Sequence, residues 1–291
     1  MNYACFDVGG TSIKAAILDE TGKIIKQDLL EVKDEFEFIM DSIVTYTNAV
    51  TETIEGVAIS APGSVDSETG IIHGFSALPS IHGPNWKEVL SKRLSLPISI
   101  ANDANCAAMA ELFNGSGQGY EDIVLIVCGT GIGGAIIKNK QLHLGSHLFG
   151  GEFGYMILNS DNGEVKTYSD LASTVSIARR MKKIDSSKDW TGKMVFDEAE
   201  KGNQDCQKAI AEFYYYMAIG IYNIQHMYDP DKILLGGAIS SRDDFIDTIN
   251  KQLKDIKESA KISELTPDIA VCTHGKDANI IGALAYHLSI K

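Results

Sequence analysis

The chain lacks the paired cysteines of a stapled or thiolate-metal fold. Its five cysteines, Cys5, Cys106, Cys128, Cys206 and Cys272, are scattered and form no C-x-C or C-x-x-C pair. An odd, dispersed set argues against a disulfide framework and a thiolate zinc site, and reads as buried free thiols in a reducing compartment. Positive charge is also scarce: 26 Lys and Arg stand against 39 Asp and Glu, a formal net charge of −13. That disfavours a general nucleic-acid binder, which needs a basic surface to displace counterions. It leaves a phosphate ligand open, because backbone N–H groups can hold phosphate without net positive charge. No apolar run approaches the roughly 20 residues of a membrane span. The N-terminal Met-Asn-Tyr-Ala-Cys-Phe-Asp has no basic segment ahead of an apolar one, so it is no signal peptide. These absences point to a soluble, cytoplasmic protein with neither membrane nor nucleic acid as partner. At roughly 100–200 residues per domain, the length predicts two domains.

Short apolar runs separated by glycine turns predict strands at 3–8, 13–18 and 23–32, a β-meander. Phe36, Ile39, Met40, Ile43 and Tyr46 recur at steps of three and four, the spacing of an amphipathic helix. A strand at 55–60, a helix at 85–95, a strand at 97–101 and a helix from Asn102 or Asp103 to about 113 follow. The polar, glycine-rich stretch 114–119 marks the domain boundary. Strands at 122–128 and 134–138 then repeat the opening. Gly9-Gly10-Thr11 and Gly129-Thr130-Gly131 both follow an apolar strand and precede another, about 120 residues apart, which suggests a duplicated architecture. Helices are expected at 170–183, 206–228, 242–261 and 278–288, with strands at 232–235 and 268–272. Strands mixed with helices in this way mean an α/β fold.

Five stretches could carry chemistry. In Asp7-Val8-Gly9-Gly10-Thr11-Ser12-Ile13-Lys14, glycines let consecutive N–H groups approach a phosphate, Thr11 adds a hydroxyl, Lys14 a charge, and Asp7 could orient a hydrated Mg²⁺. An ordinary hairpin turn also accounts for it. Gly129-Thr130-Gly131-Ile132-Gly133-Gly134 formally matches G-x-G-x-x-G, but a dinucleotide fingerprint must open a helix, and a short strand follows here. It therefore predicts a phosphate-holding hairpin. Asn102-Asp103-Ala104-Asn105 stands at a helix start, where a carboxylate could take a proton from an attacking hydroxyl and Asn102 could hold a neighbouring one. Helix capping explains the same residues. Glu152, among the glycines of Gly150-Gly151-Glu152-Phe153-Gly154, could accept from sugar hydroxyls, or lie in a surface loop. Gly236-Gly237, at a strand end, could let a flat base lie on the backbone, or make a turn.

In this order the stretches resemble the ROK family of bacterial sugar kinases and repressors, over nearly the whole chain. Residues 7–14 are similar to its first phosphate motif, Ala61-Pro62-Gly63-Ser64-Val65-Asp66 to its sugar-side loop, and Asn102-Asp103-Ala104-Asn105 to its catalytic motif. Gly129-Thr130-Gly131, Gly151-Glu152-Phe153-Gly154 and Gly236-Gly237 resemble its second phosphate, hexose-contact and adenosine motifs. The resemblance implies an α/β, two-lobed, actin-like ATPase (ribonuclease-H-like) fold with a central cleft. One lobe would span 1–116 with the terminal helix 278–291 packing back, the other 117–277. It implies γ-phosphoryl transfer from ATP to a sugar hydroxyl, usually the 6-hydroxyl, with Asp103 as general base. Gly63, Asn102 and Glu152 would hold the sugar. Gly9, Gly10, Thr11, Lys14, Thr130 and Gly131 would hold phosphates, Gly236 and Gly237 would face adenosine, and Mg²⁺ would travel with ATP near Asp7. A homodimer is a family expectation. A regulator of this family carries an extra helix-turn-helix ahead of the first motif; here the first strand begins at Tyr3.

One departure is informative. Members commonly carry His where Tyr155 stands, followed by C-x-C-G-x-x-G-C-x-E, which binds a structural zinc and touches the sugar near its anomeric end. Residues 159–169 hold no cysteine, and the final Glu falls at Ser169 or Asp170. No structural zinc is expected, and Tyr155 would meet the sugar instead of His. Loss of a His–Glu grip on a free 1-hydroxyl removes a reason to reject a substituted one. A β-glucoside, alongside or instead of glucose, becomes the expected substrate; N-acetylmannosamine and fructose are the alternatives.

Overall fold

A run such as Tyr3-Ala4-Cys5-Phe6, apolar without alternation, suits a strand covered on both faces. In the computed structural model, which describes residues 1–161, 163–261 and 264–291, that run lies in β1 (Asn2–Val8). Ala4, Phe6 and Val8 enter one apolar layer while Tyr3 and Cys5 enter another. β2 (Ile13–Asp19) and β3 (Ile24–Leu30) complete the meander, each antiparallel to the strand before it. α1 (Phe36–Ala49) crosses to β4 (Ile54–Ala61), parallel to β1 on its other side. The ribbon β5 (Ser64–Asp66) and β6 (Ile71–His73) precedes α2 (Trp86–Leu94), which Asn85 caps. β7 (Ile98–Asn102) runs parallel to β4 and leads directly into α3 (Asp103–Asn114). The sheet order is β3-β2-β1-β4-β7. Ile39, Met40, Ile43, Trp86 and Leu90 cover one face. Cys106 and Ala110 cover the other with Ile280, Ile281 and Leu284 of the last helix.

The second unit rebuilds this plan. β8 (Ile123–Cys128), β9 (Ile132–Lys138) and β10 (Gln141–Leu142) form an antiparallel meander. A ribbon, β11 (Ile157–Asp161) with β12 (Glu164–Thr167), is followed by α4 (Tyr168–Ala172), α5 (Thr174–Ile184), α6 (Gly192–Glu200) and α7 (Gln204–Tyr228). β13 (Lys232–Gly236), α8 (Phe245–Ala260) and β14 (Ile269–Val271) complete a sheet of order β10-β9-β8-β13-β14, with β13 parallel to both neighbours. Phe213, Met217, Ile221 and Ile224 of α7 bury against Val124, Ile126 and Cys128, with Phe245, Ile249 and Leu253 of α8 in the same core. α9 (Ala278–Ser289) closes the chain. One unit comprises Met1–Gly119, Leu144–Gly150 and Lys276–Lys291, and the other Tyr120–His143 and Gly151–Gly275.

The meanders, the hairpin after Cys128 and the long helix before Asp229 follow the sequence expectation. The single helix expected at 170–183 is two. Ser173 breaks it in extended backbone, and its Oγ accepts from Ser176 N at 3.2 Å. Serine is neutral inside a helix and favourable as a cap, so periodicity alone ran through the break. The helix expected from Arg242 begins at Phe245, after a 3₁₀ turn at Ala238–Ser241. The β11–β12 ribbon and α6 had no clear apolar period to announce them. Cys5, Cys106, Cys128 and Cys206 are buried free thiols, while Cys272 is half-buried. No helix among the described residues is long and apolar enough to cross a membrane.

Candidate active site

In the first unit the ends of β1, β4 and β7 bring the candidate residues together. Gly9 N donates to Ser12 O at 3.0 Å, closing the β1–β2 turn. Thr11 stands exposed at the tip of that turn. A Cβ on Gly10 would lie 2.8 Å from Ala77 Cβ, so this turn is packed rather than merely flexible. Asp7 sits in register with Ser60 of β4, whose Oγ donates to Asp7 Oδ1 at 2.9 Å. Asn279 of α9 donates to the same oxygen at 3.1 Å. Oδ2 takes no hydrogen bond from the described residues. A carboxylate oxygen of this kind suits a hard divalent cation. Lys14, opposite Asp7, donates to the Lys276 carbonyl and lies 3.9 Å from Asp277, so its ammonium is tied to the turn before α9.

Asn102 caps α3. Its Oδ1 accepts from Ala104 N at 2.9 Å and Asn105 N at 3.2 Å, and its Nδ2 donates to Gly63 O at 2.9 Å. It thereby ties the 61–66 loop to the helix that starts with Asp103. Gly63 has φ +96°, and a Cβ there would meet Ile72, His73 and His82 at 2.9–3.0 Å. Asp103 Oδ1 accepts from Ala104 N at 2.8 Å. Burial pushes the Asp103 carboxyl above its ordinary range; the Ala104 bond opposes that, and the negative charge of Asp7 adds to it. A carboxylate raised in this way is a stronger base at neutral pH.

In the second unit the glycine stretches converge. Gly129 N donates to Gly131 O at 2.9 Å, closing the β8–β9 turn, with Thr130 exposed at its tip. Thr174, at the start of α5, donates to Gly129 O through both N (3.0 Å) and Oγ1 (2.6 Å). Gly236 pairs with Val127, and Gly237 (φ +97°) lies so close that a Cβ would stand 2.1 Å from Cys128 O. The two motifs thus form one glycine-lined floor. Glu152 is exposed at the head of the short turn Phe153–Tyr155. That stretch is no loose loop, because Phe153 is buried against Gly134, and Gly154 lies against Ile132 O and Ser169. Tyr155 is 70% exposed.

The sequence left the position after the ribbon between Ser169 and Asp170. Ser169 Oγ accepts from Ile132 N at 2.9 Å, beside Gly131 and Gly154. Asp170 forms a capping box with Thr167 and pairs with Arg179 at 3.1 Å, which occupies it elsewhere. Among the described residues no group of three or more His, Cys, Asp and Glu could hold a metal ion. Sequence reasoning missed Ser60, Asn279 and His82. Ser60 carried a faint signal as the polar residue in an apolar strand; Asn279 lies 272 positions from its partner Asp7 and carried none.

The ROK family matches residues 3–289. The chain belongs to the ROK family. It is 32% identical to a beta-glucoside kinase of Klebsiella pneumoniae, over 99% of this chain and 96% of that protein. Among solved structures, a ROK family protein of Streptococcus pneumoniae TIGR4 in complex with sucrose is 39% identical, with a TM-score of 0.93 over 100% of this chain and 99% of that one. The Lmo2764 protein of Listeria monocytogenes, described as a candidate N-acetylmannosamine kinase, is 31% identical with a TM-score of 0.88, over 100% and 99%. The fold of this ROK chain is thus the α/β, actin-like ATPase fold with a ribonuclease-H-like sheet in each unit.

Proposed function

We propose that this ROK protein transfers the γ-phosphoryl group of ATP to the 6-hydroxyl of a β-glucoside. The coarse activity, a sugar phosphotransferase, follows from the kinases it resembles; the glucoside, the hydroxyl and the residue roles are our own reading. The observation that carries it is Asp103, a half-buried carboxylate with a raised proton affinity, at a helix start that Asn102 fastens to Gly63. Asp103 takes the proton of the sugar hydroxyl as its oxygen attacks phosphorus. Asn102 and Gly63 hold the sugar in this reading, and Glu152 and Tyr155 are its further candidate sugar contacts. Gly9, Gly10, Thr11, Lys14, Thr130 and Gly131 receive phosphates, Gly236 and Gly237 receive the adenosine, and Asp7 holds the nucleotide's Mg²⁺. The bound cation neutralises phosphate charge. The Klebsiella relative supports the glucoside class, and so does Ser169, a short side chain bonded to Ile132 N.

The test is ADP release over glucose, cellobiose, phenyl β-D-glucoside and N-acetylmannosamine, with the product's phosphate position read by NMR. The expected result is a higher kcat/KM for the glucosides, phosphorylated at oxygen 6. Strict preference for N-acetylmannosamine, which the Listeria relative's description favours, would overturn the glucoside.

A further inference from the structure

Phe75 is 98% exposed, more than any other large hydrophobic side chain among the described residues. It lies in the stretch 74–83, bounded by Gly74 (φ +83°) and Gly83 (φ +99°). The stretch is held in place. Ser76 Oγ hydrogen-bonds His82 Nε2 at 2.8 Å and accepts from Leu78 N at 3.2 Å. Gly83 N donates to Ile72 O at 3.1 Å. Both of its arms reach candidate site residues of the first unit: Ala77 packs on Gly10, and His82 packs on Gly63, whose carbonyl Asn102 holds. The phenyl ring stands two positions before Ala77 on this held loop and keeps its apolar surface uncovered.

We infer that Phe75 is a stacking platform for the aglycone of a bound glucoside, an apolar or ring-shaped group attached at the anomeric oxygen. The inference rests on the β-glucoside reading above and names the side chain that would favour a glycoside over the free sugar. A flat ring face accepts either an aromatic ring or the C–H face of a second sugar, at little entropic cost for a side chain with two torsions. Free glucose has no such group, so Phe75 contributes nothing to it.

The experiment compares wild type, Phe75→Ala and Phe75→Trp on phenyl β-D-glucoside, cellobiose and glucose by ADP release. Phe75→Ala is expected to raise KM for both glycosides about 5- to 20-fold with kcat within about twofold, and to leave glucose unchanged. Phe75→Trp is expected to restore the glycoside KM. A KM for the glycosides that does not move, or that rises equally for glucose, overturns the platform while leaving the glucoside kinase standing. A wild type that phosphorylates glucose but neither glycoside overturns the substrate class, and the platform with it.

Discussion

The two units carry the same sheet and place different chemistry at the same register. In the first, Asp7 of β1 pairs with Ser60 of β4 just below the glycine turn. In the second, the corresponding pair is Val127 of β8 with Gly236 of β13. A carboxylate with a hydroxyl donor has its counterpart in a branched apolar residue beside a glycine. The shared part is backbone: an antiparallel hairpin closed by one N–H bond, with a threonine at its tip and a parallel strand alongside. The unshared part is charge. The first unit supplies the acidic groups, Asp7 and Asp103, close enough that the charge of Asp7 helps to raise the Asp103 carboxyl; the second supplies a floor of glycines pressed on Cys128 and held by Thr174. A duplicated fold can thus divide labour by exchanging one or two side chains per strand end.

The division can be broken from either side. Asp103→Asn should lower kcat by roughly 10²–10⁴, as expected for loss of a general base, and leave sugar affinity by calorimetry nearly unchanged; normal turnover removes Asp103 from that role. Acid should weaken the first unit in particular. His287, 2% exposed, is neutral with its pKa lowered to about 4 by burial, and its Nδ1 lies 2.9 Å from Ser99 Oγ. The folded form therefore binds fewer protons than the unfolded chain. Its contribution is whole above pH about 6.5 and is lost as pH falls toward 4, on the order of 2–3 kcal/mol. Urea unfolding at pH 7.5 and 4.5 should show that loss in wild type and not in His287→Asn. Gly237→Ala, which adds a side chain at φ +97° against the Cys128 carbonyl, should cost about 1–3 kcal/mol and raise KM for ATP without moving the pH profile.

Two smaller effects sharpen the same contrast. The acid limb of kcat/KM should lie above the ordinary aspartate value, because Asp103 must be ionised to act. Asp7→Asn removes a neighbouring negative charge and should move that limb to lower pH. A limb that stays in place would separate the two carboxylates. Ser169→Ala deletes a hydroxyl from Ile132 N and should raise KM for ATP about two- to fivefold, with the acid limb unmoved.

Much of this was legible in the residues. Tyr3-Ala4-Cys5-Phe6 announced a strand buried on two faces, and the paired glycine–threonine turns announced the repeat. The family resemblance then ordered the candidate residues. Some features were illegible for physical reasons. Serine at 173 suits a helix poorly and a cap well, so only tertiary packing decides which it becomes. Gly134 reads as part of a phosphate-holding hairpin and Gly154 as part of a sugar-contact stretch, yet what crowds Gly134 is Phe153, and what crowds Gly154 is the Ile132 carbonyl and Ser169. Asn279 and Ser60 reach Asp7 through topology, which no local window contains.

α9 gives the fold an order in time. A Cβ on Gly282 would lie 1.6 Å from the Cys106 carbonyl, so α9 and α3 meet almost backbone to backbone. The layer they share with β1 includes Tyr3, Cys5 and Ala58. During synthesis the first unit therefore waits, with that face of its sheet covered by α3 alone, until residues 278–289 leave the ribosome, while every strand of the second unit's sheet has already emerged. The half of the protein made first is the half finished last.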